Sequence, residues 1–132
     1  MTTLTRSPRP ALLRRSGALL VLTAGAIHVW LWFDYFHTVH VVGTLFLLNG
    51  AAALAVAVLL VVSDGRLAPV AGLGYSLGTL AAFAVSVGVG LFGYHESLWG
   101  PWQVAAGVVE LGAVLALWVA AAQAGEEAED GP

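Results

Sequence analysis

The chain contains no cysteine and no lysine. The first absence rules out disulfides, thiolate-held zinc, iron–sulfur clusters and thiol nucleophiles. The second leaves arginine as the only fixed side-chain cation, at five positions. Charge is scarce altogether: Asp, Glu, Lys and Arg make up 10% of the 132 residues, against about a quarter in an ordinary soluble domain. So few charges cannot coat a water-facing surface, and most of the exterior has to meet lipid. A net charge of −3 gives nucleic acid nothing to bind. No glycine-rich phosphate loop, G-x-S-x-G elbow or H-E-x-x-H pair occurs, which removes the best-marked routes to phosphoryl transfer, acyl transfer and zinc proteolysis.

What the chain has instead is apolar length. Hydrophobic residues make up 59% of it, gathered into four runs at about 16–33, 39–62, 67–93 and 101–123. A helix needs about 20 apolar residues to cross the hydrocarbon layer, and each run meets or approaches that length. Backbone groups in lipid must bond to one another, so helices follow. A β-barrel would need strict alternation of polar and apolar residues, and the runs are continuous. The prediction is an all-α, antiparallel bundle of four transmembrane helices spanning 16–123, with a polar segment at 1–15 and an acidic, disordered tail at 124–132. The links at 34–38, 63–66 and 94–100 are short, which makes sequence neighbours antiparallel. Pro101 suits the first turn of the fourth helix.

Arginines ahead of an apolar run are also the pattern of a cleaved signal peptide. Here Trp30, Trp32, Phe33 and Tyr35 stand where small cleavage-site residues would be expected. They read as an interfacial aromatic belt, so the first run is taken as a retained span. Arg6, Arg9, Arg14 and Arg15 precede that span and Arg66 lies in the second link. With four spans these two regions share a side. The positive-inside rule then predicts a multi-pass protein of the plasma membrane with both termini cytoplasmic. Small residues mark the expected helix contacts: Gly74 with Gly78 and Ser86 with Gly90 in the third helix, Ala51 to Ala57 in the second, Gly107 and Gly112 in the fourth.

Polar residues inside the spans are the candidates for function. Glu110 falls near mid-membrane, where a carboxylate costs roughly 3 kcal/mol. It must find a donor or remain protonated, and His28, Asn49 and Thr44 are the candidate partners. Asn49 and His28 join Glu110 as a candidate ligand or proton site. All four histidines, with Asp34 and Glu96, lie toward one side. His28, His37, His40, His95 and Glu96 offer the nitrogens and carboxylate that zinc or copper take, in no standard spacing. His28 and His40 could also ligate a b-type haem from two helices. Trp30, Trp32, Trp99 and Trp102 cluster on the same side as anchors or as walls for a quinone or other lipid, and Trp118 reads as the opposite anchor.

The stretches Gly25-Ala26-Ile27-His28, Gly43-Thr44-Leu45-Phe46-Leu47-Leu48-Asn49 and Glu110-Leu111-Gly112 resemble the small four-helix membrane proteins common in actinobacteria, including the DoxX-like group. The resemblance implies architecture and little chemistry. The sequence thus favours a non-enzymatic binding or accessory subunit with a His/Glu pocket for a metal or small ligand, partnered by the bilayer and by other membrane subunits or further copies of itself. A haem- or quinone-binding redox component and an oligomeric channel or transporter using Glu110 are the alternatives.

Overall fold

The computed structural model describes residues 9–129. They form four helices, α1 (Arg9–Asp34), α2 (His40–Val62), α3 (Leu67–Gly88) and α4 (Pro101–Glu129), with a turn of 3-10 helix at Phe36–Thr38 between the first two. All four are long and apolar enough to cross a membrane, and no strand occurs among the described residues. The α1–α2 and α3–α4 connections share one end, here called the aromatic end. The other, which carries Arg14 and Arg66, is the arginine end.

Three boundaries differ from the sequence reading, each for a local reason. α1 starts at Arg9 rather than 16, because Pro10 suits a first turn and Arg14 is tied to Asp64 of the α2–α3 link by an ion pair of 2.7 Å. α3 stops at Gly88 rather than 93 because Gly90, Phe92 and Gly93 all take positive φ. Leu91 and Tyr94 then exchange backbone hydrogen bonds of 2.7 and 3.0 Å across a tight turn. α4 continues to Glu129 instead of giving way to a disordered tail at 124, as alanines and glutamates are good helix formers. Residues 1–8 and 130–132 of the two expected terminal segments lie outside the described residues.

Around the bundle, α1 packs against α2 and α4, and α3 packs against α4. α2 and α3 touch far less, and α2 makes no close approach to α4. Glycine placement explains the inequality. At Gly25 of α1 a β-carbon would overlap that of Ala53 and stand 3.6 Å from the Gly50 Cα of α2. Gly50 in turn accepts the Val29 side chain. Lipid gives helices no hydrophobic drive toward one another, so such backbone approach decides which pairs are tight. At the arginine end Gly72 of α3 sits under Leu117 and Leu60, with a β-carbon's place 2.7 and 3.3 Å from them. Those two leucines, with Val21, Ala57, Ala68 and Ala113, form the buried core that joins all four helices.

The expected contact pair Gly74 and Gly78 does the opposite of packing: nothing lies within 4 Å of a β-carbon added at either. Gly107 is equally open, and Gly112 meets only the end of Leu20. Spacing identified small residues but not which face they occupy; the seam is made by Gly25, Gly50 and Ala53, of which Ala53 falls in the expected Ala51 to Ala57 stretch. Gly25→Val should therefore lower the thermal midpoint in detergent, at a cost of roughly 1–3 kcal/mol for overpacking. Gly78→Ala should leave the midpoint unchanged or raise it, by up to about 1 kcal/mol of helix propensity. Equal losses from the two, read by circular dichroism, would contradict the packing described.

Candidate functional site

Because α2 is held on α1 and α3 on α4, these two helices make limited contact with each other and leave a gap. The gap is a cleft of about 430 Å³, within the size range of small-molecule sites. Val42, Phe46, Asn49 and Ala52 line it from α2, Tyr75, Thr79, Phe83 and Ser86 from α3, and His28 from α1. Gly74 and Gly78 leave bare backbone on the α3 wall. The turn after α3 folds back over the aromatic end, so Leu91, Tyr94 and Glu96 complete the lining. Its orientation is fixed by the Glu96 backbone N–H donating to the Ser86 carbonyl at 3.2 Å.

One hydrogen-bond circuit bridges the cleft. The Tyr75 hydroxyl donates to Asn49 Oδ1 at 2.6 Å, Asn49 Nδ2 donates to Thr79 Oγ1 at 2.9 Å, and that hydroxyl donates to the Tyr75 carbonyl at 3.0 Å. Every polar group in it has a partner, as a water-poor interior demands. His28 is held from two sides. Its Nδ1 stands 2.8 Å from the Ala24 carbonyl of its own helix, and its ring lies 5.0 Å from that of Phe46. Phe46 is stacked on Phe36 at 4.0 Å, and Phe36 meets Tyr94 edge to face at 5.2 Å. At the mouth, Glu96 Oε1 accepts from the Ser97 N–H at 2.8 Å and from Gln103 Nε2 at 3.0 Å. Burial, followed by the charge of Glu96, pushes the Tyr94 hydroxyl up to about 12, so it stays a neutral donor at physiological pH.

Of the residues singled out from sequence, His28, Asn49 and Glu96 line this one cleft. His37, His40 and His95 do not. His37 is exposed, with Nδ1 3.1 Å from the Trp32 carbonyl and its ring beside the Trp32 indole. His40 is exposed at the start of α2, and His95 is exposed with its ring over Gly90. No three His, Asp or Glu side chains come together as a metal site among the described residues. The set His28, His37, His40, His95 and Glu96 is therefore dispersed. Of the proposed haem pair, His28 lines the cleft and His40 does not.

Glu110 is buried in α4, 3% exposed, and outside the cleft lining. None of its expected partners reaches it. His28 turns to Ala24, Asn49 to α3, and Thr44 bonds back to the His40 carbonyl at 3.3 Å. Its Oε1 has no hydrogen-bond partner, and the Tyr75 phenol is the ionisable group within its electrostatic reach. Tyr75, Thr79, Phe46, Phe83 and Tyr94 were not found from sequence. The available signal was Asn49, whose amide needs partners in lipid, together with the helical spacing of Tyr75, Thr79 and Ser86, which puts those hydroxyls on one face of α3.

With no donor or cation beside Glu110 to hold a charge, Glu110→Gln keeps its shape and should shift the thermal midpoint by no more than a few degrees. Glu110→Lys forces a cation into the same place and should cost several kcal/mol or prevent folding. A Gln variant as damaged as the Lys variant would mean that a charge is held there after all. Comparison of the chain with family models, with curated proteins and with solved structures finds no match.

Proposed function

We propose that this protein is a non-enzymatic binding or accessory subunit of the plasma membrane, with both termini cytoplasmic, that holds a small and largely apolar ligand in the α2–α3 cleft. The observation that carries the reading is the cleft itself. It is walled by Phe46, Phe83 and two bare glycines, and its one bridging polar circuit is already satisfied. Such a space admits an apolar body without leaving a protein donor or acceptor stranded. The dispersal of the histidines removes the support for a metal or haem. The orientation rests on arginine placement along the sequence, since four arginines precede the first span and the fifth lies in the second link. It puts the mouth formed by Tyr94 and Glu96 toward the exterior.

Butylbenzene is a suitable probe, being apolar and without hydrogen-bonding groups. Equilibrium dialysis against protein in lipid nanodiscs, with empty nanodiscs subtracted, should show one saturable site. Gly78→Leu projects a side chain into open space, so it should abolish that site and leave the thermal midpoint within a few degrees of the parent. Binding that does not saturate, or that survives Gly78→Leu, would defeat the proposal.

A further inference from the structure

The chemical class of the ligand's head group can be read from the hydrogen-bonding capacity left open in the cleft, an inference that rests on the ligand-binding reading above. Asn49, Tyr75 and Thr79 spend their hydrogen bonds mainly on each other. His28 is different. A carbonyl oxygen only accepts, so the nitrogen 2.8 Å from the Ala24 oxygen must be the one that carries the proton. The neutral ring then presents Nε2 as a bare acceptor. Nδ1 points back at the α1 backbone, which directs the opposite ring edge away from α1. His28 lines the cleft, so this edge is the one placed to meet a molecule held there. Nε2 has no partner among the described residues.

The ring is also fixed in place before any ligand arrives. Phe46 packs against it, tilted, at 5.0 Å between ring centres and is itself stacked on Phe36 at 4.0 Å. Glu96, at the mouth beside the Tyr94 hydroxyl, adds carboxylate oxygens that can accept. The cleft thus has acceptors waiting at two places and apolar walls between them. An acceptor fixed in an apolar wall selects a molecule that brings a donor. A cationic donor is disfavoured beside His28, where no carboxylate compensates the loss of water.

We propose that the cleft recognises lipid-soluble alcohols or phenols, whose hydroxyl donates to His28 Nε2 while the apolar body lies along the Gly74–Gly78 wall. An ether of the same shape has no proton to give and should bind less well.

The test uses 4-butylphenol and its methyl ether, 4-butylanisole, on nanodisc-embedded full-length protein by equilibrium dialysis, each corrected for empty nanodiscs. The phenol should bind about five- to tenfold more tightly than the ether, the effect of one net hydrogen bond. His28→Phe keeps a ring against Phe46 but has no Nε2, and should bring the ratio to about one by weakening the phenol and sparing the ether. Gly78→Leu should abolish binding of both. Two results would overturn this assignment while leaving the cleft as a ligand site: equal affinity of the parent protein for the two probes, or a preference that persists in a folded His28→Phe variant. The parent ratio needs no variant and stands even if His28→Phe fails to fold. Failure of both probes to bind, or binding unaffected by Gly78→Leu, would overturn the cleft reading itself.

Discussion

The close approach of α1 and α2 at Gly25, Gly50 and Ala53 sets the rest of the architecture. In hydrocarbon the solvent is as apolar as the side chains, so helices associate where backbones can come near and not merely where leucines are abundant. Missing β-carbons at Gly25 and Gly50 allow that approach, and α2 is thereby committed to α1. α3 packs against α4 and meets α2 less, through Gly72 under Leu60 and through the Asn49, Tyr75 and Thr79 hydrogen bonds. The limited contact between α2 and α3 leaves room for the cleft between them. The cleft is a consequence of which glycines face a neighbour and which do not.

Polar groups in this bundle follow two regimes. Around the cleft they are organised: Asn49, Tyr75 and Thr79 satisfy one another, and His28 is fixed by a carbonyl and a phenylalanine. The chain that closes the aromatic end is shaped by strained backbone, with Phe92 in the left-handed region at φ 51° beside Gly93 at 83°. The chain turns there so that Tyr94 and Glu96 reach the cleft mouth. Glu110 belongs to the other regime, buried without a hydrogen-bond partner on Oε1 and with no part in the cleft lining.

The architecture was largely legible in sequence because apolar run length and backbone self-satisfaction are strong, one-dimensional signals. Four spans and their order follow from them. The ends were not legible. Where α3 stops depends on positive φ at Gly90, Phe92 and Gly93, and glycine inside an apolar run reads the same whether it packs a helix or ends one. The glycine pairs were misread for a related reason: four-residue spacing puts Gly74 and Gly78 on one face without saying that the face is empty. At the site, His28 and Asn49 stood out because lipid penalises them and Glu96 because it is a carboxylate in the link beside them, and the cleft gathers all three. His37, His40 and His95 shared their chemistry but lie at or beyond helix ends, where side chains turn outward. Tyr75 and Thr79 escaped notice because a phenol or hydroxyl in a span costs little and leaves little mark, while their partner, Asn49, lies 26 and 30 positions away.

The claim on which the account turns is that α2 and α3 are apart beside Gly78, and a single nitroxide label tests it. The chain has no cysteine, so Gly78→Cys provides a unique attachment point in the full-length protein. Continuous-wave spin resonance in nanodiscs should give a mobile, narrow spectrum whose label collides freely with dissolved oxygen. An immobilised spectrum with little oxygen collision would place α2 against α3 and close the cleft.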